Sequence, residues 1–526
     1  MKKKQKTKSN MLKTLCMAAV MAFGTAFFTS TVYAAKGDVK IDSNNFPDEL
    51  FRQKVSSDYD KNKDGVLSKK ELQAVKEIEM NDVDDDGDRT LKTVKGIEYF
   101  SNLEDLTIYH GYSEDSDFQN LDISKNKKLK YVDVDKGSLK KLDVSKNPEL
   151  VGLHCNYNKL TTLDVSKNPK LKDLECKCNK LTKLDVSKNS KLEGLSFVGN
   201  KLTKLNVSKN SKLYVLHCGG NKLTKLDVSK NSKLYELYCD GNKLTKLDVS
   251  KNSKLDSLDC RDNKLTKLDV SKNSKLEELH CSGNKLTKLD VSKNSKLEQL
   301  YCSDNKLTTL DIRKNSKLDI LHCDGNKLTK LDISKNPELL ELYCNNNKLT
   351  KLDVSKNPEL LELYCNSNKL TILDIRKNQK LKSLDCNNNE LTKLDVSKNL
   401  KLQELYCNNN RLITLGVSKN PELDILYCND NELEKLDVSK NSKLRILNCD
   451  DNKLTILDVS KNPELWRLYC NDNKLTTLDI SKNPKLETLH CKNNKLTTLD
   501  ISKNPELYTI NSEYGLSCDD NVVITK

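Results

Sequence analysis

Between Asp60 and Glu71 the chain reads DKNKDGVLSKKE, and oxygen-bearing groups fall at alternate positions of it. Asp60, Asn62 and Asp64 stand at positions 1, 3 and 5 of a twelve-residue loop; Val66 offers a carbonyl at 7, Ser68 follows at 9 and Glu71 at 12. A hard cation takes six to eight oxygens, and alternate residues of a tight loop aim them inward. Gly65 permits the sharp turn, and a glutamate at position 12 can close the shell with both oxygens. The spacing predicts a calcium loop made of Asp60, Asn62, Asp64, Val66, Ser68 and Glu71, between an incoming helix over 47–55 and an outgoing one over 69–79. Further on, NDVDDDGDRT repeats the opening of the pattern with Asp82, Asp84, Asp86 and Asp88. Position 12 of that frame is Thr93, which cannot chelate, so these aspartates predict a weaker calcium site or a plain acidic turn.

Two other sets of residues could do chemistry. Cys155, Cys176, Cys218, Cys239, Cys260 and every 21st residue on to Cys491 hold one column, interrupted by Phe197. The column alternates with leucine, so it points inward on a short strand. Side chains in register on parallel strands ~4.8 Å apart point the same way, whereas a disulfide wants its Cβ atoms about 3.8 Å apart across a twisted bridge. The column therefore reads as a structural row of reduced thiols, and a metal-binding row is the remote alternative. Cys178 and Cys518 fall outside it and read as exposed thiols. The residue between each Leu and Cys faces the other way. That column carries Tyr238, Tyr301, Tyr343, Tyr364, Tyr406, Tyr427 and Tyr469, with His154, His217, His280, His322 and His490. Tyrosine and histidine also suit any β surface. Five of the six histidines on one line point further, to a ligand-binding stripe. Its richest part lies at Tyr406, Tyr427, Arg445, Trp466, Arg467 and Tyr469, with the chain's single tryptophan.

These columns need elements to hold them. Each unit reads L-x-x-L-x-C-x-x-N-x-L-x-x-L-D-V-S-K-N-x-x, a leucine-rich repeat at the short end of its range. So small a unit cannot bury its own apolar side, so neighbours must stack. The predicted fold is a β-rich, right-handed leucine-rich-repeat solenoid of 21-residue coils, with a parallel concave sheet, a cysteine ladder and a small α-helical, EF-hand-like N-terminal cap. The Asn three residues after each Cys, such as Asn347, should be buried and bonded to the turn backbone. The nearly constant KLDVSKN half, with Asp353 between Lys351 and Lys356, reads as a solvated outer side. Residues 1–34 read as a secretory signal peptide: early lysines, a short apolar run and Val32-Tyr33-Ala34 before the cut. The cap follows over 35–80, an acidic loop and irregular repeats over 81–133, regular repeats over 134–511 and a terminal cap over 512–526. HGYSEDSDFQ lengthens one coil by five residues, and the register is expected to run unbroken from Val134 to Ser512.

The LTKLDVSKNPELLELYC repeats resemble those of the bacterial internalins, especially members whose 21-residue repeats carry a cysteine column. An EF-hand-like helical cap before the repeats is also an internalin feature, and 46–79 is similar to one. The resemblance implies a secreted or surface protein that binds a protein or cell-surface partner through the inner face of its solenoid. It also implies reduced ladder cysteines.

Composition narrows the function classes. The six lysines before Ala34 would leave with the leader, taking that much off the formal +14. No later stretch is apolar enough to span a membrane, and no wall-sorting motif is seen, so the chain is expected to be exported and soluble. Basic rows on the outer side could draw an anionic polymer, but the matching Asp row and the lack of interleaved aromatics speak against nucleic acid. Histidines and acids recur as rows, not as a catalytic constellation, so an enzyme is the distant reading. The expected function is a secreted, non-catalytic binding protein for an extracellular or cell-surface protein or glycan, with calcium steadying its cap. A structural matrix or surface-array protein is the alternative.

Overall fold

The computed structural model describes residues 37–81, 90–109, 117–507 and 515–526. The leader, Asp82, Asp84, Asp86, Asp88, His110 and Ser512 lie outside the described residues. The chain opens with β1 (Val39–Lys40), α1 (Glu49–Asp58), β2 (Val66–Leu67) and α2 (Lys69–Ala74). Then come β3 (Glu77–Asn81), β4 (Asp105–Tyr109), β5 (Tyr131–Asp133) and one three-residue strand every 21 residues, β6 to β22, from Gly152–His154 to Thr488–His490. β23 (Thr498–Asp500), β24 (Leu516–Ser517) and β25 (Val523–Thr525) finish it. From β3 to β22 each strand pairs in parallel with the next in sequence, and β24 pairs with β22; among the described residues no strand pairing joins β24 back to β3. Pairing is in register, Leu342 beside Leu363 and Tyr343 beside Tyr364, so each sequence column becomes a row along the solenoid.

The repeat closes because its apolar positions all turn inward. In one coil Leu360, Leu363, Cys365, Leu370 and Ile375 are fully buried. Two asparagine rows do the polar work. Asn347 Oδ1 accepts from Leu328 N–H (3.0 Å), and its amide donates to the carbonyls of Cys323 (3.0 Å) and Cys344 (3.2 Å). The second row was read as outer surface; it is core. Asn357 is fully buried and donates to the carbonyls of Ile333 (3.0 Å) and Asn336 (2.7 Å). A helix-free coil leaves many backbone carbonyls facing inward, and buried ones must be paired. The exposed Asp353 accepts from Ser355 N–H (2.9 Å), so the Asp row pins turns as well as carrying charge. Asn206 does the same for Ser208 (3.0 Å). The variable residue two after each Cys is left-handed, φ 52° at Asn346 and 54° at Asp430, which explains its run of Asn, Asp and Gly.

Three readings change at the ends. The outgoing helix stops after six residues, at Ala74, because Glu77–Asn81 joins the sheet as β3 with Ile78 and Met80 turned inward. The incoming helix is Glu49–Asp58, later than expected, with Asp48 capping it through Phe51 N–H. At the other end the row after Cys491 is Cys518, 27 residues on, because Leu489 pairs with Leu516 and Cys491 N–H donates to Ser517 O (2.8 Å). Leu516-Ser-Cys518 repeats the Leu-x-Cys signature, and its thiol suits an apolar row. Cys518 is thus buried, not exposed; Cys178 is exposed, at a left-handed turn with φ 50°.

Candidate functional site

The row between Leu and Cys is the outward face of the sheet. In strand after strand the central Leu is buried and the residues on either side are half-buried, as at Glu341–Tyr343 and Glu362–Tyr364. What half-buries the rings is each other. His280 stacks on Tyr301 (centroids 4.3 Å, 13° between planes), Tyr301 meets His322 edge-on (4.7 Å), and His322 stacks on Tyr343 (4.1 Å, 6°). Tyr364 follows Tyr343 at 4.4 Å. His217–Tyr238 (4.4 Å), Tyr406–Tyr427 (5.4 Å) and Tyr469–His490 (5.0 Å) form separate groups. The breaks between groups are Asp259, Asp385 and Asn448.

The glutamates beside the stripe belong to it. Tyr343 Oη donates to Glu362 Oε2 (2.5 Å), and His217 Nε2 lies 3.1 Å from Glu236 Oε2. Each bond reaches one coil ahead, a diagonal that reading single columns cannot show. The asparagines on the other side are taken up by backbone: Asn345 Oδ1 accepts from Asn366 N–H, and Asn387 Oδ1 from Asn408 N–H, both at 2.8 Å. Burial, together with the Glu362 hydrogen bond, pushes the Tyr343 phenol far above its ordinary range, and burial pushes Tyr406 up to about 12. Burial lowers His280 and His490. His154 goes the other way, up to about 10, because Asp133 and Asp173 flank its ring.

The C-terminal cluster assembles in two pieces. Tyr406 and Tyr427 pair; Asn448 separates them from Tyr469. The Arg467 guanidinium lies 4.0 Å over the Trp466 ring, and Arg445 makes a two-pronged bond to Asp424, with Nε at 2.6 Å from Oδ1.

The Asp60–Glu71 loop sits between α1 and α2 and is tied to β1 through β2, Val39 beside Leu67. Asp60 is buried; its Oδ2 accepts from Gly65 N–H (2.9 Å), and its Oδ1 is buried with no protein partner. An orphaned carboxylate oxygen aimed into a loop of oxygens is what a cation ligand looks like. Asp64 Oδ1 accepts from Val66 N–H (2.9 Å). Ser68 caps α2, and Glu71 accepts from the Ser68 hydroxyl (2.7 Å), Ser68 N–H (2.9 Å) and Lys61 N–H (2.8 Å); against the cost of burial, these bonds, the Ser68 hydroxyl first, hold its pKa below the ordinary value. The residues present fit calcium.

The cysteine ladder is a row of unpaired, buried thiols in the described residues. Burial raises them, Cys176 to about 12.

Residues 274–315 match the family model described as leucine-rich repeats in two copies. The solved structure of the LRR protein LIC12759 from Leptospira interrogans is 25% identical, covering 70% of this chain and 97% of that one, with a TM-score of 0.58. The chain has the leucine-rich-repeat fold. The leucine-rich-repeat chain is also similar to the functional domain of InlJ from Listeria monocytogenes, described as including a cysteine ladder, at 28% identity over 90% of this chain and 79% of that one, TM-score 0.42. The plant peptide hormone receptor RGFR1, solved in complex with RGF2, shares the fold at 20% identity, covering 82% of this chain and 80% of that one, TM-score 0.63. No curated protein matches the leucine-rich-repeat chain in sequence. Among its described residues no helix is long and apolar enough to cross a membrane.

Proposed function

We propose that this protein is a secreted, non-catalytic binder that takes a protein partner on the outward face of its sheet, with calcium in the Asp60–Glu71 loop holding the cap firm. Leucine-rich-repeat solenoids typically serve as protein-binding scaffolds. What carries the reading is the ring row: tyrosines and histidines are gathered on one half-exposed line of the sheet. Between protein and glycan, the ring contacts favour protein. A sugar stacks on a free aromatic face, but Tyr301, His322 and Tyr343 each have ring neighbours in both adjacent coils. Solvent there meets ring edges and polar tips, which suit the mixed contacts of a protein interface. Calcium would supply a central charge for Asp60, Asn62, Asp64, Glu71, the Ser68 position and the Val66 carbonyl.

The test immobilises the chain and captures partners from cell-surface protein extracts, for wild type and for Tyr406→Ser/Tyr427→Ser/Tyr469→Ser. Each anchor lost at a hot spot costs about 2 kcal/mol or more, so capture should fall by orders of magnitude while the melt barely moves. Unchanged capture with an unchanged melt would remove the binding face. Self-association of the wild type in sedimentation would then support the structural reading.

A further inference from the structure

One group of side chains on the sheet belongs neither to the ring stacks nor to the calcium loop. His154, Asp173 and Glu175 each offer a ligand atom, and these atoms lie within 4.8 Å of one another. His154 Nε2 is 2.8 Å from Asp173 Oδ2. The other ring nitrogen, Nδ1, faces Asp133 Oδ2 at 3.6 Å, one coil earlier. Asn156 Nδ2 donates to Glu175 Oε2 (3.0 Å) and to Asp135 Oδ2 (2.8 Å), so Glu175 is held from behind. Four carboxylates thus surround one imidazole, with Lys177 the nearby cation, 3.0 Å from Glu175.

The backbone around the group is also unlike the rest of the array. The positions flanking Asp173 in its row are Gly152 and Gly194, where later coils carry Val, Glu, Ser, Gln, Ile, Arg or Thr. A Cβ at Gly194 would stand 2.4 Å from Asp173 Oδ1, so any side chain there would push the carboxylate out of place. A groove of about 570 Å³ lies beside Asp173, lined by Lys172, Lys212 and Lys233 as well as Glu193, Gly194, Tyr214 and Val215. In the next coil Ser196 and Phe197 replace the usual ring and Cys. The most irregular coils of the regular array are those that gather this group.

We propose that His154, Asp173 and Glu175 bind a divalent transition-metal ion, zinc being the type ion, on the open face of the sheet. One imidazole and two carboxylates form a borderline donor set that suits such ions better than calcium, which takes oxygens alone. Asp133 is a positioning residue: a carboxylate on the far nitrogen fixes the tautomer and ring angle of a metal-bound histidine. Three protein ligands leave at least one coordination position open, where water or a side chain of a bound partner can enter.

The probes are zinc chloride, by titration calorimetry on the full chain, and cobalt chloride, by its visible absorption when bound by nitrogen and oxygen. Wild type should take up one saturable equivalent that His154→Ala and Asp173→Asn each lose or bind at least tenfold more weakly. Asp133→Asn should weaken it about 10- to 100-fold without abolishing the cobalt spectrum. His217→Ala, in the similar His217–Glu236 pair, and Glu71→Gln, in the calcium loop, should leave the equivalent intact. Circular dichroism melts of each variant separate loss of the site from loss of fold. No saturable uptake by wild type, or equal uptake by a folded His154→Ala chain, overturns the proposal.

Discussion

Asp450 stands in a row that carries asparagine at Asn408, Asn429 and Asn471. Its Oδ1 accepts from Asn471 N–H (2.5 Å), as Asn471 Oδ1 in turn accepts from Lys492 N–H (2.8 Å), but Asp450 is a half-buried carboxylate. Burial, with some help from Asp451 and Asp472, raises its pKa from 3.8 to about 6, against the pull of the Asn471 bonds. A folded-state pKa above the unfolded one gives stability that is complete below about 3.8 and disappears as pH climbs through about 6. A shift of this size corresponds to roughly 2–3 kcal/mol. Asp450→Asn keeps the acceptor and drops the charge. The variant should therefore melt higher than wild type at pH 7, with a gap that shrinks toward zero near pH 4. A gap that is flat with pH would show that Asp450 is ionised at no cost. Thiol chemistry offers a second residue-scale check. Ladder thiols are buried and raised, Cys518 is 9% exposed and Cys178 is open. Alkylation of the native chain should label Cys178 ahead of every ladder cysteine, and denaturation without reductant should release the rest. Mass spectrometry showing ladder cysteines joined in pairs would contradict a reduced ladder.

Elements were legible where one period governed them. The Leu-x-Cys strand and the Leu-Asp-Val turn recur so often that their inward faces follow from spacing alone. Where two signals competed, spacing misled. KKELQAVKEIE has the composition of a helix, yet Glu77–Asn81 alternates exposed and buried residues and pairs with Asp105–Tyr109, so the sheet claims it. Asn357 sat among charged neighbours and was read with them; only closing the coil shows that inward carbonyls need its amide. Glu362 looked like a flank of the stripe because a column does not show that its partner, Tyr343, lies 19 residues back. The loop from Asp60 to Glu71 lies where its spacing puts a turn, after α1 and running into α2, because such a turn is local. Its cation is the element-scale prediction. Glu71→Gln preserves the capping box with Ser68 but removes a bidentate carboxylate. Calcium titrated into the full chain should give a saturable heat and raise hydrogen-exchange protection of the Asp60–Glu71 loop by mass action. Glu71→Gln should weaken that binding at least tenfold with α2 intact. Equal heats for both chains would remove calcium from the cap.

At the scale of the molecule, every coil from β5 to β22 is the same solution to one packing problem, and each pairs only with its neighbours. Stability in such an array is nearly a sum of coil and interface terms. Deleting residues 344–364 removes 21 residues and joins Tyr343 to Cys365, so Leu, Cys and both asparagine rows stay in register. The shortened chain should fold with a melt close to wild type. Its long dimension by small-angle scattering should fall by about 5 Å, one strand spacing. Deleting 344–363 instead removes one residue fewer. Every residue downstream of the junction is then offset by one, which turns a Leu row toward solvent on the strand and a half-exposed row inward. That chain should either bulge a residue out at the junction at a measurable loss in melting temperature, or lose the cooperative transition of the coils beyond it. The pair of deletions separates two accounts of the solenoid. If both shortened chains melt alike, the array tolerates phase errors and the inward rows are not what holds it together. If only the 21-residue deletion melts like wild type, the period itself is the stabilising feature. The same chain then gives a shorter ring stripe, Tyr343 followed by Asp385 with Tyr364 gone, on which a partner's footprint along the sheet can be measured coil by coil.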